Sequence, residues 1–470
     1  MKTDRELIGQ AVVSLVLLAS AVTFAAAGDF DESFNRVGFT RNFVPDLTRS
    51  DGVAIHSSGE IVTLGAYFHG TSIDLILWRH LTDGTLDPSF GGTGVVYPPS
   101  PPQFSQSGGT IAIDNQDRIV FVVLTSTSYV VYRLNFDGSL DLSFAGTGFV
   151  AIPITLPFPI TGLAIQPDNK IVGIGGSLTS FSQFIVYRLN EAGTLDLTFG
   201  GTGIVFTQIT PGGGTDRATG VAIQADGKIV AAGRARVPGS YYDMALARYL
   251  PTGELDPSFG SGGKVVVSVL DDDLGRKVVI QPDGKIAIAG SVCRDLGTGN
   301  NYCYLGVARV DEQGALDLDF GGTGKVYTDV GSLGGVAYDV ALQSDNKLVL
   351  VGFRQFTDDG SVTNTILIRH NSDGSRDGTF GADGISETNY GYSENLSADV
   401  RIQSDGQIVT AGATYRGDFS FGTSVTARYV GQSGTRLRSG AGVPAQPGIE
   451  RATSQTRKAP STGFARRADR

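Results

Sequence analysis

One spacing stands out among the residues able to do chemistry: a guanidinium and a carboxylate recur eight residues apart. Arg79 precedes Asp87, and the same interval joins Arg133 to Asp141, Arg188 to Asp196, Arg248 to Asp256, Arg309 to Asp317 and Arg369 to Asp377. A seventh arginine, Arg428, has only Arg436 at that distance, so its partner is expected from the other end of the chain, at Asp31. A held Arg–Asp pair could serve catalysis, where perturbed charges are put to use. Yet a buried charge needs a partner wherever it sits. The segment before Arg248, DMALARY, is apolar on both faces, so its arginine is partly buried. A tight TGEL turn returns Asp256 alongside, where a carboxylate can meet the guanidinium in two hydrogen bonds. Seven copies read as scaffolding, not as one catalytic site.

The remaining reactive residues are sparse. The histidines, His56, His69, His80 and His370, fall at scattered positions, with His80 and His370 in one register just after a repeated arginine; they read as core or surface residues rather than metal ligands. No G-x-S-x-G, H-E-x-x-H or P-loop phrase occurs. Asp271, Asp272 and Asp273 form the densest acidic cluster, without the alternating spacing of a calcium loop, and read as a solvated acidic loop. Cys293 and Cys303, in SVCRDLGTGNNYC, read as one local disulfide in an exported protein, free thiols being the alternative. Two cysteines without convergent histidines make no zinc site. The expectation is no metal, no cofactor and no catalytic residue.

The elements that hold these pairs are themselves repeated. A D-x-x-F phrase recurs with its phenylalanine at Phe34, Phe90, Phe144, Phe199, Phe259, Phe320 and Phe380, at intervals of 54 to 61 residues. A second phrase, IQADGKIVAAG at 223–233, also appears seven times. A period in this range marks a solenoid, a propeller or an array. Each unit carries four β-branched runs bounded by Gly, Asp and Pro, as in KVVVSV, RKVVIQ, KIAIAG and LGVARV, with no helical periodicity between them. Four strands per unit is the signature of a propeller blade. In the DGK turn the glycine position is held by Gly59, Asp117, Asn169, Gly227, Gly284, Asn346 and Gly406. Only these residue types readily tolerate positive φ, so a left-handed turn residue is expected there.

The expected fold is all-β: a seven-bladed β-propeller of four-stranded blades, closed by an N-terminal strand near Val37 to Val44 beside Thr423 to Val430. Closure of this kind removes exposed strand edges. The phrases QPDGKIAIAG, MALARY and GELDPSFGSGGKVV resemble the delta-60 repeat family and, more distantly, NHL-type propeller repeats. The resemblance covers about 28–430 and implies a propeller in exported or surface-associated bacterial proteins, with no shared activity and no catalytic residues to carry over.

Composition agrees with this division. Glycine, at 65 of 470 residues, is about twice its usual share of roughly 7%, as many tight reversals require. Residues 1–27 read as a signal peptide, with Lys2 and Arg5, an apolar run from Ala11 to Phe24, and Ala25-Ala26-Ala27 as the cleavage site. That run is short for a membrane anchor, which needs about 18–20 residues. Residues 431–470 read as a disordered basic tail of net charge +6, leaving −16 on the middle. An acidic body argues against nucleic acid. The expected location is exported: periplasmic, extracellular or cell-surface, as a monomer, with no transmembrane segment after signal cleavage.

A ligand, if any, belongs on the face opposite the DGK hairpins. The short turns share one face, and the variable connections, where recognition is usually found, share the other. Those connections carry Tyr97, Phe104, Tyr241, Tyr242, Phe356, Tyr390 and Tyr392, read as solvent-facing aromatics, beside Arg236, Asp358 and Asp359. Such a set suits a glycan or a protein ligand, because each ring offers apolar area and tyrosine a hydroxyl; the alternative is that the rings pack their own loops. The expected function is a secreted non-catalytic binding protein. The alternatives are an exported enzyme (hydrolase, lyase or quinoprotein dehydrogenase) with a site at the channel mouth, and a cell-surface structural component. An enzyme should break the repeat symmetry at the channel mouth, and the sequence shows no cluster that does so.

Overall fold

Strands of two to ten residues separated by Gly- and Asp-rich turns can bury their apolar faces only by stacking sheet on sheet, and the chain does this seven times. A computed structural model describes residues 25–432 apart from 43–46, 70–71, 101–108, 126–127, 155–161, 177–182, 213–214, 238–240, 298–300, 332, 359 and 417–421. Within them lie 28 strands in seven four-stranded antiparallel sheets, and no helix. The blades span 47–96, 109–152, 162–207, 217–267, 272–328, 335–388 and 394–429. The seventh takes its fourth strand from the N-terminus: Phe39–Asn42 pairs with Gly422–Tyr429, Phe39 facing Ala427 and Asn42 facing Ser424. Ring closure is as expected from the unpaired Arg428.

The first strand of each blade packs against the first strands of its neighbours, so these seven strands line a central channel. Core residues pack between blades rather than within them. Val62, Leu64, Leu75 and Leu77 of blade one meet Ile111, Phe121 and Tyr132 of blade two, for example. All seven D-x-x-F phenylalanines have no exposed surface.

Up-and-down connectivity sorts the connections into two faces. The turn face carries the hairpins between first and second strands and those between third and fourth. At the DGK position φ is positive in all seven units, from 57° at Asp117 to 101° at Gly59. The loop face carries every other connection.

Residues at both ends of the propeller pack against it. Ala27, counted with the signal segment, is fully buried, and its carbonyl accepts from Gly381 N at 2.8 Å. Gly431, counted with the tail, is buried, and its carbonyl accepts from Arg369 Nη1.

Candidate functional site

On the turn face every repeated arginine does the same three things. Its Nε lies 2.7–2.9 Å from the partner carboxylate, Arg428 reaching Asp31 at 2.9 Å. Its Nη1 donates to a backbone carbonyl of the next blade: Arg79 to Phe136, Arg188 to Pro251, and Arg428, closing the ring, to Thr82. Its guanidinium carbon lies 4.4–4.9 Å from the centroid of the D-x-x-F phenylalanine ring. The two-bond fork expected between Arg and Asp is not what forms. In six units the second hydrogen bond runs from Nη2 to the hydroxyl two residues past the aspartate (Ser33, Ser89, Ser143, Thr198, Ser258 or Thr379), which itself donates to that aspartate. The fifth unit has Asp319 in place of the hydroxyl. These groups are bonded to one another and to the neighbouring blade.

The histidines belong to this scaffold too. His80 and His370 are buried, which holds each near a pKa of about 4. Their Nε2 atoms lie 3.0 Å from Asn42 Oδ1 and 3.1 Å from Thr328 Oγ1. His56 is buried as well, and burial lowers its pKa.

The loop-face residues scatter around the rim. Tyr97 is 54% exposed and meets Tyr67 edge-on at 6.3 Å. Tyr241 is 49% exposed, its hydroxyl donating to Asp295 Oδ2 at 3.1 Å. Phe356 is 37% exposed under the Arg354 guanidinium, and Asp358 and Arg236 are exposed. Tyr392 is half-buried, with the Arg41 guanidinium 5.3 Å from its ring. Phe104 and Asp359 lie outside the described residues. Tyr390 is not solvent-facing: it is 1% exposed, its ring edge-on to Phe39 at 5.5 Å and its hydroxyl 2.9 Å from that of Tyr429. The closing strand and residues 27–31 cover it, which a local reading of NYGYSEN does not reveal. Asp273 departs from expectation likewise. It is fully buried, accepts from Val269 and Leu270 N, and is pushed up to about 6 by burial, whereas Asp271 stays exposed.

The expected absence of a symmetry-breaking cluster is overturned inside the channel. Five first strands carry a β-bulge at one position, occupied by Asp51, Thr219, Arg276, Tyr338 and Ala398. A bulge bends the strand and re-aims a side chain. It also explains the last glycine of the DGK phrase. The carbonyl before the bulge presses on the paired second strand, so a Cβ on Gly233, Gly290, Gly352 or Gly412 would stand within 1.9–2.0 Å of that oxygen.

Two groups of polar side chains result. Near the loop face, Arg217 on Arg217–Ile223 pairs directly with Arg234 on Ile229–Arg236. Gly275 sits against the Gly233 carbonyl, which brings Arg276 of blade five close to Arg234 of blade four. Burial draws Arg234 down to about 10, with Arg217 and Arg276 adding repulsion. Its guanidinium lies 4.5 Å from the Tyr242 ring, and that of Arg276 lies 5.6 Å from the ring of Tyr338. Deeper in, Asp339 and Asp399 are buried and bonded to each other, with Arg401 Nη1 2.8 Å from Asp339 and 2.5 Å from Asp399. Burial pushes Asp399 well up, whereas the bond from Asp399 and the charge of Arg401 hold Asp339 down against its own burial. Asp399 accepts from Val53 N at 2.9 Å and Asp339 from Val400 N at 3.1 Å, so the pair latches blades six, seven and one. The equivalent residue in three other units is Gly52, Gly162 or Gly220.

Cys293 and Cys303 are joined by a disulfide and face each other across the second and third strands of blade five, at their loop-face end.

Among solved structures the chain is similar to a protein of unknown function from Dyadobacter fermentans (11% identity, TM-score 0.44, 84% of this chain and 98% of that one). It is similar to polysaccharide lyase Uly1 (10%, 0.47, 87% and 97%). It is also similar to the PQQ-bound aldose sugar dehydrogenase of Streptomyces coelicolor (16%, 0.38, 74% and 97%). At such identities and TM-scores neither fold nor activity is taken from the likeness. No curated protein matches the chain. Residues 56–90, 166–199, 224–259 and 343–380 match the family described as "Domain of unknown function (DUF5122) beta-propeller", each match ending at or beside its D-x-x-F phenylalanine. These four units are repeats of a β-propeller family.

Proposed function

We propose that the protein is an exported binding protein that takes its ligand on the loop face, around the mouth of the channel, without transforming it. The observation that supports this is the unequal use of charge on the two faces. The repeated Arg, Asp and Ser or Thr groups of the turn face are spent on one another, whereas the loop face holds exposed Tyr97, Tyr241, Arg236 and Asp358 and an arginine-rich channel mouth. A paired cysteine suits an oxidising compartment.

The enzyme reading draws on Asp339 and Asp399, a carboxyl pair of the kind acid–base chemistry uses. Their oxygens already accept from Val53, Val400 and Arg401, and both side chains are almost fully covered. The binding reading is therefore preferred.

The test presents immobilised protein with arrays of bacterial and algal glycans and of peptides, followed by titration of any hit. Changing Tyr241 and Arg236 to Ala together should weaken the hit at least tenfold, and changing Lys228 on the turn face to Ala should leave it unchanged. Loss of binding with Lys228→Ala alone would put the site on the wrong face. Shortened or oxidised ligand after incubation would establish the enzyme reading instead.

A further inference from the structure

Three guanidiniums share one corner of the channel mouth. Arg217 and Arg234 are directly opposed on neighbouring strands, an arrangement that like charges disfavour. Arg276 is delivered beside them by a bulge and by the close approach of Gly275 to Gly233. The carboxylate whose charge Arg234 feels is that of Asp272, and its oxygens already accept from Tyr242 N at 3.2 Å and Asn301 Nδ2 at 3.3 Å. Among the described residues, the Nε atoms of Arg234 and Arg276 are buried and have no hydrogen-bond acceptor. A folded chain keeps such a costly arrangement where something compensates it, and strained features of this kind cluster at ligand sites.

From this we infer that Arg217, Arg234 and Arg276, with the Tyr242 and Tyr338 rings, bind the acidic group of a glycan, a uronate carboxylate or a sulfate ester, entering from the loop face. The inference rests on the proposed loop-face binding function and names its ligand class. Guanidinium forks match carboxylate and sulfate oxygens in paired hydrogen bonds. Tyrosine beside them offers apolar ring edge to a pyranose and a hydroxyl to its oxygens. The body of the protein carries −16 and repels a long polyanion, so these cations select a short oligosaccharide or a chain end that presents its charge locally. An acidic peptide is the less suitable occupant. It would add to a strand edge, and at this level of the channel five first strands carry a bulge, which bends the strand that an added peptide would have to follow.

The full chain is titrated calorimetrically with three probes: oligogalacturonate of four to six sugars, a sulfated oligosaccharide of similar length, and oligoglutamate. A neutral maltooligosaccharide is the control. One or both acidic sugars should bind, more weakly as salt rises, and the one that binds identifies the oxyanion. Arg276→Gln and Arg234→Gln should each weaken binding at least tenfold, and Arg234→Gln should raise the Tm of the free protein by relieving the opposed charges. Arg276→Lys, which keeps the charge and loses the fork, should bind at least fivefold more weakly and guards against misfolding of the glutamine variants. Oligoglutamate binding as tightly as the sugars would overturn the glycan assignment, and so would equal binding of the neutral sugar. If Arg276→Gln and Arg234→Gln bind normally while the Tyr241/Arg236 double variant does not, the arginine site fails and the loop-face reading stands. If none of these variants matters, both fail.

Discussion

The two faces of the disc are made by the same 28 strands, yet they treat charge in opposite ways. On the turn face each arginine has a carboxylate, a neighbouring carbonyl and an aromatic ring, and five of the seven have less than 4% of their surface exposed. At the loop-face mouth, arginine is set opposite arginine. Repetition marks the first region because every blade needs the same fastening, and departure from repetition marks the second. Stability is therefore expected to be read on one face and recognition on the other.

The largest effect is expected from the ring's closing pair. Asp31→Ala leaves Arg428 buried without its carboxylate, a loss of about 3–5 kcal/mol for a broken buried pair. Asp87→Ala, inside the ring, should cost a similar amount in urea denaturation. A cost under about 1 kcal/mol at either site would show that the ring of pairs does not fasten the blades.

Two tyrosines of the loop-face connections should behave unlike each other. Tyr390→Ala removes a ring packed on Phe39 and Phe30 and should destabilise by about 3–5 kcal/mol. Equal denaturation midpoints for Tyr390→Ala and wild type would refute its place in the core.

Acid should act on the faces with opposite signs. His80 and His370 are neutral in the native state down to about pH 4, while the unfolded chain takes up protons below about 6.5. Stability is therefore lost as pH falls from 6.5 toward 4, by about 3 kcal/mol for each histidine. Asp273 works the other way. Its native pKa of about 6 lies above the unfolded value, so stability lost as pH rises from 4 to 6 returns on acidification. A slope of stability against pH that His80→Gln with His370→Gln leaves unchanged would contradict this assignment.

Smaller effects finish the comparison. Bridging the ten-residue separation of Cys293 and Cys303 should contribute about 2.5–3 kcal/mol in the chain-entropy model. Its reduction should loosen the loop-face end of blade five and leave the other blades folded, as hydrogen exchange would show. Tyr241→Ala, at an exposed ring, should change stability by less than about 0.5 kcal/mol. A larger change by thermal denaturation would mean that this ring is part of the scaffold.

The scaffold was legible because a contact made seven times leaves a periodic mark in the sequence. The DGK glycine position, the buried phenylalanine and the missing partner of Arg428 each follow from residue type and spacing. What repetition could not report is any contact peculiar to one pair of blades. Tyr390 looked like a loop aromatic because the segment that covers it, residues 27–42, lies some 350 positions away in sequence. The last glycine of the DGK phrase was visible as a pattern, but its cause, a bulge on the facing strand, was not.

By itself, then, the sequence determined the number of blades, the hand of their turns and the ion pairs that fasten them, since these depend on local conformation and on a fixed interval along the chain. The tertiary structure alone decided which side chains meet in the channel. Arg217, Arg234 and Arg276 sit at unrelated repeat positions, whereas Asp339 and Asp399 share one, the residue after the bulge, which three other units fill with glycine. They converge because closing a ring of strands brings residues of different blades to one axis, where a bulge of a single residue sets which of them points inward.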